Sequence, residues 1–227
     1  MSSKIPINNL ERLQSKPRKS LHKDFRARIL NKDPYIVKIK NLLSDAEVEE
    51  LLNMTKGKFK KSNVVIDGEL TYTSNRTSST AYLFRDGMPD EYSRNIEKII
   101  ERICYLVNCN RTQLEVMAVR YKYQQKFGSH VDYFNDDEIG KIDNGGQRIA
   151  TFFVYLNTLH EGEGGTTEFM QLGLRSKPRK GDAVYFCNKN RKTGKMDPRT
   201  EHAGNPVEKE GVIKYGLNIW IRDPGFY

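Results

Sequence analysis

The chain has 227 residues, with 38 lysines and arginines against 29 aspartates and glutamates, which gives a net charge of +9. This length allows one large domain with an apolar core, as is ordinary for all-β barrels and sandwiches. No apolar run approaches the roughly 18 residues of a membrane span, and residues 1–40 are polar and basic without the apolar centre of a signal peptide. The sequence argues against a membrane protein and predicts a soluble, intracellular one.

Positive charge is concentrated in the N-terminal segment. Residues 1–28 carry eight lysines and arginines against two acidic residues, a net charge of +6. We therefore predict a loosely attached basic extension over residues 1–33 and a catalytic domain over residues 34–227. A second basic cluster from Lys177 to Lys195 leaves a nucleic-acid partner open. A solvated face is the commoner explanation, since the interleaved aromatic residues of single-strand binders are missing.

The first half of the domain contains short elements with clear boundaries. Tyr35–Ile39 is typical of a strand, and Ser44 with Glu47 forms a capping box that begins a helix ending at Gly57. The run from Val64 to Leu70 contains an Asp-Gly pair and predicts a β-hairpin. Pro89 to Val107 carries an apolar stripe at helical spacing and predicts a longer helix that supports a sheet.

From residue 114 onward the pattern is that of strands rich in β-branched and aromatic residues. The predicted strands are 115–121, 148–156, 182–187 and 215–221. No βαβ alternation is present, so two antiparallel sheets are expected. The predicted class is α+β, mainly β: a double-stranded β-helix, or jelly roll, with supporting N-terminal helices.

The three cysteines, Cys104, Cys109 and Cys187, are odd in number and form no CxxC pair. This pattern predicts neither a zinc module nor a disulfide framework. A reducing compartment is the simplest setting for such a chain.

The most informative stretch of the chain ends in His130-Val-Asp132. In a strand these two polar side chains lie on the same face, and together they supply two of the three ligands of a 2-His-1-carboxylate iron site. His202 is the best placed of the other histidines to complete the set, because strand-like segments can return the chain beside His130. Lys214, twelve residues later, can hold the remote carboxylate of a dicarboxylic acid that chelates the metal.

The order of motifs resembles the catalytic domain of prolyl 4-hydroxylases, which are Fe(II)/2-oxoglutarate dioxygenases. The resemblance covers residues 34–223 and is strongest from residue 115. The motifs that carry it are Tyr121, His130-x-Asp132, Gly145–Thr151, Gly164–Thr167, Lys180–Asp182, His202–Gly204, Pro206-Val207, Lys214 and Trp220.

The resemblance implies a function and a set of site residues. It implies hydroxylation of prolyl residues, at the 4-position as in procollagen-proline 4-dioxygenases, with Fe(II), 2-oxoglutarate, O2 and ascorbate as reductant. The implied metal ligands are His130, Asp132 and His202, with Arg148 also catalytic. The implied 2-oxoglutarate contacts are Tyr121, Thr167 and Lys214, and the implied substrate contacts are Arg76, Ser78, Tyr82 and Trp220. A proline-containing peptide or protein is the expected partner.

Two alternatives stay open. One is a dioxygenase of the same fold acting on another side chain or a nucleobase, which the basic charge would suit. The other is a non-catalytic jelly-roll binding module. Against the first, Arg76–Ser78 and Gly145–Thr151 resemble the prolyl enzymes specifically. Against the second, a binding module has no need of a complete ligand set together with Lys214.

Overall fold

The computed structural model describes Leu10 and residues 25–66, 69–85, 94–135 and 146–223. These ranges contain helices α1 (Asp45–Met54) and α2 (Arg94–Val107), and short 3-10 turns at Arg111–Gln113, Met170–Leu172 and Pro198–Thr200. The strands are β1 (Arg26–Lys32), β2 (Tyr35–Lys40), β3 (Lys60–Lys61), β4 (Val64–Ile66), β5 (Glu69–Thr71), β6 (Ser79–Arg85), β7 (Leu114–Tyr121), β8 (Phe127–His130), β9 (Arg148–Tyr155), β10 (Thr167–Phe169), β11 (Leu174–Ser176), β12 (Ala183–Cys187), β13 (His202–Gly204) and β14 (Lys214–Arg222).

The strands form two antiparallel sheets and a separate hairpin. The large sheet has the order β1-β2-β12-β9-β14-β7-β6-β3, and the small sheet has the order β11-β10-β13-β8. Strands β4 and β5 pair with each other from Val64↔Thr71 to Ile66↔Glu69. The predicted jelly roll is confirmed, and so is the predicted hairpin, whose Asp-Gly pair lies outside the described residues.

The central strands of the large sheet pack against apolar groups on both faces, so nearly all residues of β7, β9 and β12 are buried. One face packs on the helices through an apolar cluster that includes Leu217 of β14, Val48 of α1 and Ile103 of α2. The other face packs on the small sheet through a second cluster that includes Phe153 of β9 and Phe169 of β10. The interior between the two sheets is therefore lined by alternate residues of β7, β9 and β14.

The helices form where the sequence predicts them. Ser44 Oγ accepts the Glu47 N–H at 3.3 Å and the Glu47 carboxylate accepts the Ser44 N–H at 2.8 Å, which confirms the capping box. Arg102 of α2 donates to both carboxylate oxygens of Glu47, at 2.7 and 3.1 Å, and so ties the helices together. The predicted start of α2 at Pro89 lies outside the described residues. Neither described helix is long and apolar enough to cross a membrane.

The N-terminal range differs from its prediction where the structure describes it. Strand β1, expected in a loosely attached extension, pairs with β2 from Arg26↔Lys40 to Lys32↔Tyr35. Leu10 is 1% exposed and lies in the helix-side cluster. Composition suggested a free arm, but burial of Leu10 and the backbone pairing of β1 hold these residues against the domain. The rest of residues 1–24 lies outside the described residues, and the boundary at residue 33 stays a prediction.

Candidate functional site

Three side chains converge at one end of the small sheet. Strand β13 pairs with β8 so that His202 lies directly opposite His130. Asp132 follows β8, with Oδ1 at 3.7 Å from His130 Nε2 and Oδ2 at 3.9 Å from His202 Nε2. One ligand atom from each of the three residues lies within 4.8 Å of the others. The fold thus brings together the residues that the sequence selected as metal ligands.

Backbone carbonyls orient both imidazoles. His130 Nδ1 donates to Gly128 O at 2.8 Å, and His202 Nδ1 donates to Thr200 O at 3.0 Å. Because a carbonyl only accepts, Nδ1 carries a proton in both rings, and Nε2 is the nitrogen that faces Asp132. Burial and the neighbouring His202 lower the pKa of His130 to about 3. The ring is therefore neutral near pH 7, as a metal ligand must be.

Asp132 is held by a buried hydrogen-bond relay from the large sheet. The Thr151 hydroxyl donates to Asp132 Oδ2 at 2.7 Å, and Asn188 Nδ2 donates to Thr151 Oγ1 at 3.0 Å. Burial raises the pKa of Asp132, but His202, His130, Arg148 and the Thr151 hydroxyl outweigh it and leave the pKa below its ordinary value. The carboxylate is therefore ionised and fixed in orientation.

These three groups fit iron. Two neutral imidazole nitrogens and one carboxylate oxygen are the donor set of the facial triad found in non-haem Fe(II) oxygenases. Asp132 and His202 are each 7% exposed. The hydrogen bonds behind the ligands supply the outer support that such sites use.

A buried cation lies deeper between the sheets. Lys214 is 0% exposed, and within the described part of the chain its Nζ has no hydrogen-bond partner. Nζ lies 5.0 Å from the ring centroids of Tyr121 and Phe153, and burial lowers the pKa of Lys214 to about 7. An isolated buried ammonium is costly, so this position fits an anionic ligand such as a carboxylate.

The space beside Lys214 is lined by hydroxyl groups. Tyr121 lies opposite Lys214 on the neighbouring strand, and Thr167 Oγ1 accepts from Tyr155 Oη at 2.9 Å. A Cβ at Gly204 would lie 3.4 Å from Tyr121 Oη and 3.9 Å from Lys214 Nζ, so glycine leaves room for a ligand there. Cation and hydroxyls together suit the remote carboxylate of 2-oxoglutarate.

A groove of about 390 Å³ opens next to the histidines. Its walls come from the β4–β5 hairpin, strand β6 and the end of β14. The lining residues relevant to the predicted site are Arg76, Tyr82, His130, Asp132, Arg148 and Trp220. Its volume falls in the range of small-ligand sites, so it fits a few residues of an extended peptide.

Arg148 is held at the groove by a carboxylate whose role the sequence analysis missed and by two aromatic rings. Its Nη2 contacts both carboxylate oxygens of Glu115 at 3.2 and 3.3 Å, and Arg222 Nη1 contacts Glu115 at 2.9 Å. The Arg148 guanidinium lies 3.5 Å from the Trp220 ring centroid and 4.5 Å from that of Phe134. One buried carboxylate thus anchors two arginines, and aromatic rings fix the plane of Arg148.

The other predicted substrate contacts separate into three placements. Tyr82 is 51% exposed on the groove wall. Arg76 is 8% exposed and donates to Asn63 O at 2.9 Å. Its Nε and Nη2 have no hydrogen-bond partner among the described residues. Ser78 is 0% exposed and is hydrogen-bonded to Ser62 at 2.9 Å. Because that hydroxyl faces Tyr121 and not the groove, the structure argues against direct substrate contact by Ser78.

Some missed residues carried a signal in the sequence. Glu115 is a charged residue at the start of an apolar strand, and Thr151 alternates with the inward-facing Phe153 and Tyr155. Gln147 lies in the Gly145–Thr151 motif, but its structural role was not predicted. Its amide accepts the Phe134 N–H at 2.7 Å and donates to Phe134 O at 2.8 Å, which braces the segment after Asp132.

Comparison with known proteins agrees with this geometry. The profile of the 2OG-Fe(II) oxygenase superfamily matches residues 116–222, which include all three candidate ligands and Lys214. "Probable prolyl 4-hydroxylase 6" of Arabidopsis thaliana is 33% identical over 206 residues, covering 82% of this chain and 68% of the plant protein. "Prolyl 4-hydroxylase subunit alpha-2" of Caenorhabditis elegans is 32% identical over 206 residues, covering 88% of this chain but only 36% of the nematode protein.

Comparison with solved structures also finds prolyl hydroxylases. The viral collagen prolyl hydroxylase of Paramecium Bursaria Chlorella virus-1, in its 2OG complex, superposes with a TM-score of 0.61 and 30% identity. The match covers 82% of this chain and 94% of the viral one. A prolyl hydroxylase of Trichoplax adhaerens shares the fold, with a TM-score of 0.61 at 19% identity.

Proposed function

Because the chain belongs to the prolyl 4-hydroxylase family of 2OG-Fe(II) oxygenases, we propose that it hydroxylates prolyl residues, at the 4-position, in a peptide or protein. The reaction consumes 2-oxoglutarate and O2 and releases succinate and carbon dioxide, with ascorbate as reductant. The observation that carries this proposal is the convergence of His130, Asp132 and His202 beside an open groove, in an interior that also buries the Lys214 ammonium group.

Each group has a proposed role. His130 Nε2, His202 Nε2 and an Asp132 oxygen hold Fe(II), while Lys214, with Tyr121 and Thr167 beside it, holds the remote carboxylate of 2-oxoglutarate. When bound, the metal and cosubstrate supply the oxidising power that converts a C–H bond into C–OH. The protein contributes position and exclusion of water.

The groove supports an extended peptide substrate. Tyr82 offers exposed aromatic surface for a proline ring, while Trp220 packs under the Arg148 guanidinium at the groove wall. The polar atoms of Arg148 and Arg76 offer donors for peptide carbonyl oxygens. Glu115 fixes Arg148 from behind, so that this donor is in place before the substrate arrives. In this proposal a proline residue of the peptide lies beside the histidines.

The test is turnover by the purified chain with Fe(II), 2-oxoglutarate and ascorbate. With proline-rich peptides, 2-oxoglutarate should be converted to succinate and each modified peptide should gain one oxygen atom. Amino-acid analysis should identify 4-hydroxyproline. The same peptides with alanine in place of proline are the matched substrate control. Oxidation of an oligonucleotide with no peptide turnover would favour the nucleobase alternative, and peptide binding without succinate release would favour a binding module.

A further inference from the structure

Helix α2 ends at a residue that folds the chain back over its last turn. Asn108 has a φ of 54°, and the Cys109 N–H donates to Cys104 O at 3.1 Å. This six-to-one hydrogen bond is the mark of a Schellman motif, in which the side chains at the two bonded positions commonly touch. Here both positions are cysteine, so the backbone itself brings two thiols together.

The side chains are placed as the motif requires. Cys104 Sγ and Cys109 Sγ lie 3.7 Å apart, and both residues are only partly buried. The third cysteine, Cys187, is buried in strand β12. Two neighbouring, partly exposed thiols, at least 78 positions from the third cysteine, form a natural pair for oxidation.

The geometry points to Cys104 and Cys109 as a reversible disulfide site that staples the end of α2 to the segment leading into β7. The site does not depend on the proposed hydroxylase activity.

The chemistry balances with a small-molecule disulfide such as glutathione disulfide as oxidant. The Cys104 thiolate attacks one sulfur of glutathione disulfide and expels one glutathione, and the Cys109 thiolate then attacks the Cys104 sulfur and expels the second. Two electrons pass to glutathione, and the two thiol protons end on the two glutathione molecules. The hydrogen bond from Cys109 lowers the pKa of Cys104 and raises that of Cys109, which favours Cys104 as the attacking thiol.

The staple precedes, by six residues of chain, the carboxylate that holds Arg148. From Cys109 the chain continues through Arg111, which pairs with Glu97 of α2 at 3.0 Å, to Gln113, which donates to Arg222 O at 2.8 Å. Two residues later comes Glu115, the carboxylate that holds Arg148. Oxidation therefore fixes the segment that precedes this anchor and restricts the unfolded chain.

The experiment equilibrates the purified full chain in glutathione buffers from reducing to oxidising, followed by alkylation and peptide mass spectrometry. Oxidised wild type should yield a linked peptide containing Cys104 and Cys109, two hydrogens lighter than the reduced peptide. Its Tm should exceed that of the reduced protein by roughly 2–8 °C. Cys187→Ser should retain both effects, whereas Cys104→Ser and Cys109→Ser should lose both.

Two different results would contradict this proposal. Wild type that keeps one bound glutathione on either cysteine without forming the link, or that forms disulfide-linked dimers, would overturn the assignment. Equal Tm values for fully linked and reduced wild type would overturn the stapling. In either case the two cysteines serve only as the apolar contact of the helix end.

Discussion

The two faces of the large sheet bury different chemistry, and strand β14 contributes to both. Leu217, Ile219 and Ile221 point to the helices and are at most 3% exposed. The alternate residues Lys214 and Trp220 point between the sheets, where Lys214 Nζ and Trp220 Nε1 have no hydrogen-bond partner in the part of the chain that the structure describes. Burial of apolar groups on the helix side stabilises the fold. That stability offsets the cost of burying polar groups on the other face, where they can bind ligands.

The largest effect is expected when one of the three candidate metal ligands, which come from the small sheet and the segment after β8, is removed. His130→Ala, Asp132→Ala and His202→Ala should each abolish succinate release, because two ligands hold Fe(II) poorly, and should weaken iron binding by roughly 100-fold or more. Anaerobic Fe(II) titration measures this loss. The exposed histidine offers the control, since His160→Ala should behave as wild type. Activity in all three alanine variants would refute the ligand assignment.

Lys214→Ala should separate cosubstrate binding from metal binding. Loss of the partner of a buried carboxylate typically costs about 2–5 kcal/mol, so the Kd for 2-oxoglutarate should rise at least tenfold while iron affinity changes little. The metal-to-ligand absorption band, followed anaerobically, measures both. Lys214→Arg, which keeps the charge on a longer and planar group, should rescue only in part. An unchanged midpoint for Lys214→Ala would assign the carboxylate to another cation.

The lowered pKa of Lys214 predicts how pH acts on the same step. The pKa is about 7 in the folded protein and 10.5 ordinarily, so between these values the unfolded chain binds more protons and the stability contributed by this group rises with pH. Binding of a carboxylate favours the ammonium, so 2-oxoglutarate binding should take up close to one proton at pH 8–9. Calorimetry in buffers of different ionisation enthalpy measures that uptake, which should vanish in Lys214→Met.

Thr151→Val tests the support behind Asp132 with a smaller expected effect. The variant keeps the shape of the side chain but removes the 2.7 Å hydrogen bond to Asp132. Iron affinity should fall by about tenfold, the usual cost of losing an outer hydrogen bond at a metal site. Thr193→Val, in an exposed loop, is the matched control. Equal iron affinity in the two variants would mean that Asp132 is positioned without Thr151.

The smallest effect on the site is expected from the opposite face. Ile103→Ala removes a 0% exposed side chain from the helix-side cluster and should cost about 2–5 kcal/mol of unfolding free energy. At temperatures well below Tm, the Kd values for iron and 2-oxoglutarate should stay as in wild type. A weakened Kd without a fall in Tm would show that the two faces are not independent.

The sequence was sufficient to predict those site residues whose signals lie in a short stretch of chain. His130 and Asp132 followed from the period of a strand, and Lys214 began a recognisable strand pattern. The association of Glu115 with Arg222 was beyond it, because those residues are separated by 107 positions and meet only when β14 lies beside β7. The burial of Ser78 and the pairing of β1 were also missed, since composition reports polarity but not which backbone lies next to it.

The pairing of β13 with β8 links folding to ligand capture. His130 and His202 are 72 positions apart, and strands β8 and β13 have only four and three residues, so this contact has high contact order and few backbone hydrogen bonds. A metal that binds both histidines closes that long loop and stabilises the native state by an amount that grows with the logarithm of its concentration. The free iron concentration would then determine how often the β8–β13 pairing opens. Amide hydrogen exchange in these two strands would be slower when the protein carries its metal.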